Sequence, residues 1–313
     1  MKNKNDRPVE IWAVGGGKGG TGKTFAICQL ATCLASGGKQ VILIDTDFGA
    51  ANVHTFFGMK KSEKTIINFF EGKEDLEKLI IKTKTKNLSL IPGSTDTSPF
   101  STLKHTQKLK LLRQLKKLAV DYILLDLGGG TSLDTLDLFL MADKMIVVTI
   151  PEITAVENLY QFIKSVFFRK LKSLFGHYGL KDTAKNIWQD RKEYGITGII
   201  DLLEYLRRMS DEMDAVLSKE LSGFHLNIIL NKVRNIQEVR EGFSLRSICI
   251  KYIGVNAQYS GYIGYDYQFW KNLNLLQSSP LLIVSHNTRN DVQKIVDNIL
   301  QDNQLKIDCI KNI

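Results

Sequence analysis

Short apolar runs recur along the chain, and several stop abruptly at a carboxylate or an amide. Residues 41–44 run into Asp45, residues 122–125 into Asp126, and residues 228–230 into Asn231. Such runs are too short for helices and too continuous for a sheet wetted on one face. They predict strands of a parallel sheet covered on both sides. The same reading places strands at 9–14, 41–44, 87–91, 121–126, 145–150, 224–231, 248–255 and 281–284. Between them, apolar residues recur at helical spacing. Phe25, Ile27, Leu30, Cys33 and Leu34 mark a helix over 23–36. Leu109, Leu112, Leu115 and Leu118 mark one over 103–119, with lysines on the opposite, solvated face. Val156, Leu159, Phe162 and Ile163 mark one over 152–164, and Val292, Ile295, Val296 and Ile299 one over 289–300. Residues 53–87 read as a lysine-rich helical excursion with Ile66, Ile67, Phe69 and Phe70 buried. Strands alternating with helices predict an α/β fold, a mostly parallel twisted sheet of about seven or eight strands with helices on both faces.

Residues 167–223 depart from that rhythm. Ile199, Leu202, Leu203, Leu206, Met209, Met213, Val216 and Leu217 form a 3.6-residue stripe, and Gly176, Gly179, Gly195 and Gly198 interrupt the segment. A mostly helical insertion within a single domain spanning 1–313 is expected. Its basic clusters, Arg169-Lys170 with Lys172 and Arg207-Arg208, read first as solvated faces of packing helices. A contact with a partner or an anionic surface is the alternative.

Composition narrows the class. The 313 residues carry a formal net charge of +9 and a pI near 9.2, which allows attraction to DNA or an anionic membrane surface without requiring either. No apolar run is long enough to span a bilayer and no signal peptide is evident, so a cytoplasmic location is expected. Cys28, Cys33, Cys249 and Cys309 form no C-x-x-C pair, which argues against a metal or disulfide framework.

The chemistry concentrates at residues 15–24, Gly-Gly-Gly-Lys-Gly-Gly-Thr-Gly-Lys-Thr. Gly17, Lys18, Gly19, Gly20, Thr21, Gly22, Lys23 and Thr24 fit G-x-x-x-x-G-K-[ST], between a predicted strand and a predicted helix. Free N–H groups and the helix dipole favour an anion there. Lys23 is placed to reach β- and γ-phosphates and Thr24 to give its hydroxyl to Mg²⁺. Phe25, next in the helix, joins the nucleotide-binding set. A flexible glycine loop with a solvated lysine is the plainer alternative, disfavoured by the flanking elements. Asp45 and Asp47 follow one strand and Asp126 ends another, where α/β sheets place ligands. Asp45 and Asp126 are candidates to hold Mg²⁺, and Asp47 to orient an attacking water. Gly128-Gly129-Gly130 allow close approach to a γ-phosphate. Asn231 offers an amide matching the edge of adenine, and a turn asparagine is the alternative.

Lys18 within Lys-Gly-Gly-Thr-Gly-Lys-Thr resembles the deviant Walker A loop of the MinD/ParA family of P-loop ATPases. The resemblance covers nearly the whole chain outside 167–223. The stretch Asp-Thr-Asp-Phe-Gly-Ala-Ala-Asn-Val-His-Thr-Phe-Phe-Gly from Asp45, and Asp-Leu-Gly-Gly-Gly from Asp126, look most like the flagellar-number regulators of the FlhG (FleN) branch. Many relatives carry Pro or Ala where Gly128 or Gly129 stands here. The resemblance implies ATP and Mg²⁺ as cofactors, slow hydrolysis, and a homodimer in the ATP state. In it Lys18 would reach the partner's nucleotide, Asp47 activate water, and Asn231 read adenine. It implies a protein partner and a role in the number or position of a cellular machine, peripheral at a membrane or cell pole. A partition protein coating DNA in the ATP state is the competing expectation. A cluster-carrier ATPase lacks its paired cysteines, and a P-loop kinase would leave Lys18 and Asp47 without purpose. The tail after residue 305 holds only Lys306 and Lys311, a weak basis for membrane targeting.

Overall fold

The computed structural model describes residues 8–95, 103–179, 181–274 and 284–306. Among the described residues eight strands form one sheet: β1 Glu10–Gly15, β2 Val41–Thr46, β3 Ile81–Lys82, β4 Leu88–Ile91, β5 Tyr122–Leu127, β6 Lys144–Thr149, β7 His225–Val233 and β8 Asn256–Gly264. Their order is β3-β4-β2-β5-β1-β6-β7-β8, and every neighbouring pair is parallel except β3 with β4. The twelve α-helices among the described residues are α1 Lys23–Ser36, α2 Val53–Phe56, α3 Ile66–Phe70, α4 His105–Leu115, α5 Leu133–Leu140, α6 Ile153–His177, α7 Lys181–Gln189, α8 Ile199–Met209, α9 Asp211–Ser222, α10 Ile236–Ile248, α11 Tyr267–Asn274 and α12 His286–Leu300.

Both faces of the sheet are buried, so the strands carry no polar alternation. Trp12, Val14, Leu43, Leu124, Ile146 and Val148 point to a core closed by α1 and α12. Their chain neighbours Ile11, Ala13, Ile44, Leu125 and Val147 point to the other core, closed by α4, α5, α6 and the helices α8–α10. The α/β architecture and its sheet of eight strands thus agree with the periodicity. At one edge, β3 runs antiparallel; at the other, Leu305 donates its N–H to the Tyr259 carbonyl of β8 at 2.9 Å.

Several elements differ from the sequence expectation. Residues 248–255 are not a strand: α10 runs to Ile248 and a π-helical turn covers Cys249–Ile253, closed by Gly254 at φ 72°. The β-branched run misleads because the buried positions are Gly242, Leu245, Cys249 and Ile253, a helical period. The true strand, β8, is Asn-Ala-Gln-Tyr-Ser-Gly-Tyr-Ile-Gly, whose polar and glycine content hides it. Residues 53–87 hold only short helices and β3. Helix α6 continues unbroken past 164 to His177, through Gly176. On α4 the buried face is Lys108, Leu111 and Leu115, while Leu109 is exposed. The strand expected at 281–284 lies, up to Val284, outside the described residues, as does the tail from 307.

The basic clusters are largely neutralised. Lys108, expected on a solvated face, is buried within 2.6 Å of Asp134 and 2.7 Å of Asp137. Arg169 meets Asp137 at 2.6 Å, and Lys170 meets Glu220 of α9 at 3.0 Å.

Helix α10 packs so tightly on β8 that a Cβ on Gly242 would sit 2.2 Å from the Tyr259 ring. Gly242→Ala is expected to lower unfolding free energy by about 1–3 kcal/mol in urea titration. Tyr259→Phe should be neutral or stabilising, since its buried hydroxyl has no partner.

Candidate functional site

At the C-terminal edge of the sheet, β1 ends at Gly15 and α1 begins at Lys23. The seven residues between form a loop around the first N–H groups of α1, the part of a helix that attracts anions. Gly22 caps α1 at φ 84°, a left-handed conformation that favours glycine. The loop is closely braced. A Cβ on Gly17 would lie 1.9 Å from the Asn158 carbonyl oxygen of α6, and one on Gly22 would lie 2.2 Å from Asn231 Nδ2.

Lys23 is buried, and its Nζ donates to the Lys18 carbonyl at 3.1 Å. Burial pulls its pKa below the ordinary lysine range, and the charges of Asp126 and Asp47 restore part of that loss. A desolvated ammonium is a strong electrostatic anchor for a phosphate, which would restore its charge.

Asp45 and Asp126 are register neighbours on β2 and β5. Asp45 accepts from Val53 N–H at 3.0 Å and from Asp47 N–H at 3.2 Å. Burial nonetheless pushes it up to about 6. Asp126 is more extreme: burial, then the neighbouring Asp45 charge, raise it well above the carboxylate range. The Thr24 hydroxyl lies close enough to favour its ionised form, yet neither Asp126 oxygen completes a well-aligned hydrogen bond within the protein. Two orphaned carboxylate oxygens beside a threonine hydroxyl make an all-oxygen donor set that fits a hard divalent cation such as Mg²⁺. Among the described residues no group of three His, Cys, Asp or Glu side chains could hold a metal by itself.

Asp47 is half-buried at the end of the same turn, raised by burial and opposed by Lys23. A Cβ on Gly128 would meet its Oδ1 at 2.5 Å, and one on Gly129 would lie 3.3 Å from Lys23 Nζ. The glycine loop after β5 therefore lies directly against Asp47 and Lys23.

Three residues of the expected site stand apart. Phe25 turns into the core, its ring 4.4 Å from Phe269 and 5.6 Å from Trp270, so only its backbone N–H belongs to the loop. Asn231 is buried, its Nδ2 donating to Thr21 O at 2.9 Å and its Oδ1 accepting from Lys232 N–H at 2.9 Å. In this conformation its amide ties β7 to the loop. Lys18 points outward, 3.1 Å from Thr154 Oγ1 and 3.8 Å from Glu152 at the start of α6. The remaining members lie at the same edge of the sheet: Gly17, Gly19, Gly20, Thr21 and Gly22 on the loop, Lys23 and Thr24 at the start of α1, and Asp45, Asp47 and Asp126 at the ends of β2 and β5. Sequence reasoning missed Lys232. Its Nζ donates to Gly20 O at 3.0 Å and lies 4.7 Å over the Trp270 ring, covering the loop's outer side. Its place just after Asn231 was the available signal. The brace from Asn158 left none, because it uses a backbone carbonyl.

A glycine loop between a central parallel strand and its helix, faced by carboxylates on neighbouring strand tips, defines a P-loop protein. The model of the AAA domain family matches residues 9–174, and the chain belongs to that family. The septum site-determining protein MinD of Buchnera aphidicola subsp. Schizaphis graminum is 34% identical over 152 residues, 48% of this chain and 56% of that protein. The chain thus spans about half the length of the curated relatives it matches. Among solved structures, MinD complexed with Mg-ADP from Pyrococcus horikoshii OT3 superposes with a TM-score of 0.62 at 18% identity, covering 93% of this chain and 96% of that one. A putative plasmid partition protein from Borrelia burgdorferi B31 bound to AMPPNP gives 0.60 at 18% identity, covering 95% and 100%.

The brace on the loop is open to test. In Gly17→Ala, amide hydrogen exchange should quicken both in residues 16–22 and in the first turns of α6, and unchanged exchange would contradict the close contact.

Proposed function

We propose that this chain is an ATP-dependent switch that binds ATP with Mg²⁺, pairs with a second copy in that state, and hydrolyses slowly. Its output is the number or position of a cellular assembly such as a flagellum or a chemotaxis cluster, at a membrane or cell pole. The observation that carries the nucleotide reading is Asp126. A carboxylate with both oxygens buried and unpartnered, beside Thr24 and a desolvated Lys23, is costly unless a cation and phosphates complete it. Relatives of the same fold that hold Mg-ADP and AMPPNP support this reading. The flagellar assignment is supported by the likeness of the stretch beginning at Asp45 to that branch.

In this reading the N–H groups of residues 17–25 cradle the β- and γ-phosphates, and Lys23 balances their charge. Thr24, Asp45 and Asp126 would hold Mg²⁺, which supplies charge neutralisation at the phosphate oxygens. Asp47 accepts a hydrogen bond from the water that attacks the γ-phosphorus. The bond to the β-phosphate oxygen breaks, leaving ADP and inorganic phosphate. Asn231 reads adenine on exchanging its present bonds. Lys18, exposed at the mouth of the site, extends to the nucleotide of the second copy. Helices α7–α9 follow the family match and are read as the partner-selecting insertion.

Calorimetry with ATP, with and without Mg²⁺, tests the core of the proposal. Asp126→Asn should keep or raise the melting temperature of the nucleotide-free protein while abolishing the Mg²⁺-dependent gain in affinity. No heat of association in the unaltered protein would end the proposal. Lys18→Ala should leave ATP affinity unchanged and remove ATP-induced dimers on a sizing column. Co-sedimentation with anionic liposomes and with DNA, each with ATP and with ADP, separates a membrane regulator from a DNA-coating partition protein.

A further inference from the structure

Three consecutive glycines, 128–130, leave the loop after β5 with little stiffness of its own. Its position is therefore set by its attachments. One end is β5, hydrogen-bonded between β1 and β2 in the middle of the sheet. Gly130 N–H adds a bond to Gly16 O at 3.2 Å. The other end is α5, a helix of only eight residues capped by Ser132.

A buried ionic cluster holds α5. Lys108 Nζ lies 2.6 Å from Asp134 Oδ1, as an ion pair rather than an aligned hydrogen bond, and donates to Asp137 Oδ2 at 2.7 Å. Arg169 grips Asp137 with Nε at 2.6 Å from Oδ1 and Nη2 at 3.0 Å from Oδ2. Asp134 Oδ2 also accepts Leu103 N–H at 2.8 Å. Burial alone would raise the Asp137 carboxyl, yet hydrogen bonds from Arg169 and Lys108 hold it below the usual carboxylate range.

Removing four charges from water is a poor route to stability, since apolar replacements often do as well. What such a cluster supplies is register. Asp137 receives Lys108 from α4 and a two-pronged Arg169 from α6 together, so α5 cannot slide without unpairing a buried charge. Arg169 shares α6 with Asn158, whose carbonyl abuts Gly17. The two contacts are eleven residues apart, roughly 16 Å along the helix axis. Helix α6 therefore braces the phosphate loop near one end and the anchor of the 128–130 loop further along. Through Lys170 and Glu220 it is tied to α9.

We propose that Lys108, Asp134, Asp137 and Arg169 are positioning residues that hold the 128–130 loop against Lys23 and Asp47 and connect it, through α6, to helices α7–α9. The part concerning hydrolysis rests on the ATP-switch reading above.

Arg169→Gln is the informative variant. Arg169 is the most exposed member, and its loss leaves the Lys108–Asp137 pair, so the fold should survive. In hydrogen exchange on the full chain without nucleotide, residues 128–132 should exchange faster than in the unaltered protein, residues 16–22 should not, and Arg169→Lys should recover part of the protection. Unchanged exchange at 128–132, or a uniform rise across the chain, would overturn the proposal. In ATP turnover, kcat should fall about tenfold while the Kd for ATP stays within about twofold. A joint loss of both, or of neither, would count against positioning. If the unaltered protein bound no ATP, the switch reading would fail, and the exchange result would still decide whether the cluster holds the loop.

Discussion

Charge withdrawn from water at the tips of β2 and β5 governs the rest of this structure. Parallel strands buried on both faces end together at one edge of the sheet, and whatever follows their last apolar residue is carried partly into the interior. Here those residues are Asp45 and Asp126, side by side in register, with Lys23 arriving from α1. Desolvation drives all three toward their neutral forms. The protein offsets this for Asp45 with backbone N–H groups, and for Asp126 only in part, through the Thr24 hydroxyl and the Lys23 charge. The site thus gathers ionisable groups whose charged forms are disfavoured by burial, a balance that a bound cation and anion would reverse.

Helix α6 gives that site its walls. Its first turn presents Glu152 and Thr154 to Lys18, its second presents the Asn158 carbonyl to Gly17, and later turns carry Phe162 and Arg169 to α5. One helix therefore borders the 16–22 loop directly and supports the 128–130 loop through α5. This explains why the helix is long and unbroken where periodicity suggested an end at 164. The apolar stripe continues through Val166, Phe167, Leu171 and Leu174, all buried.

The central fold was legible because it rests on local rules. A strand, a glycine loop and a helix around Lys23, and apolar runs stopped by Asp45, Asp126 and Asn231, need no tertiary knowledge to recognise. What escaped depends on partners distant in the chain. Polar β8 is a strand because β7 pairs with it, and α10 buries its far side. Lys108 looked solvated because Asp134 and Asp137 lie on another helix, and Arg169 looked like part of a basic patch for the same reason. Phe25 follows the loop directly in sequence, which associates it with the ligand, whereas its rotamer toward Phe269 is not legible there. The directions of Lys18, outward, and Asn231, inward, are likewise set by packing, while the motif names only the residues.

The two margins of the sheet have a consequence for self-association. A long strand with free N–H and carbonyl groups is a template on which a second molecule can add, and unchecked addition leads to fibres. At one margin a two-residue reversed strand offers almost no length for such growth. At the other, the chain returning after α12 occupies the Tyr259 carbonyl on β8. Among the described residues, the shortness of β3 and the bond from Leu305 to β8 both reduce the free edge on which such addition could start.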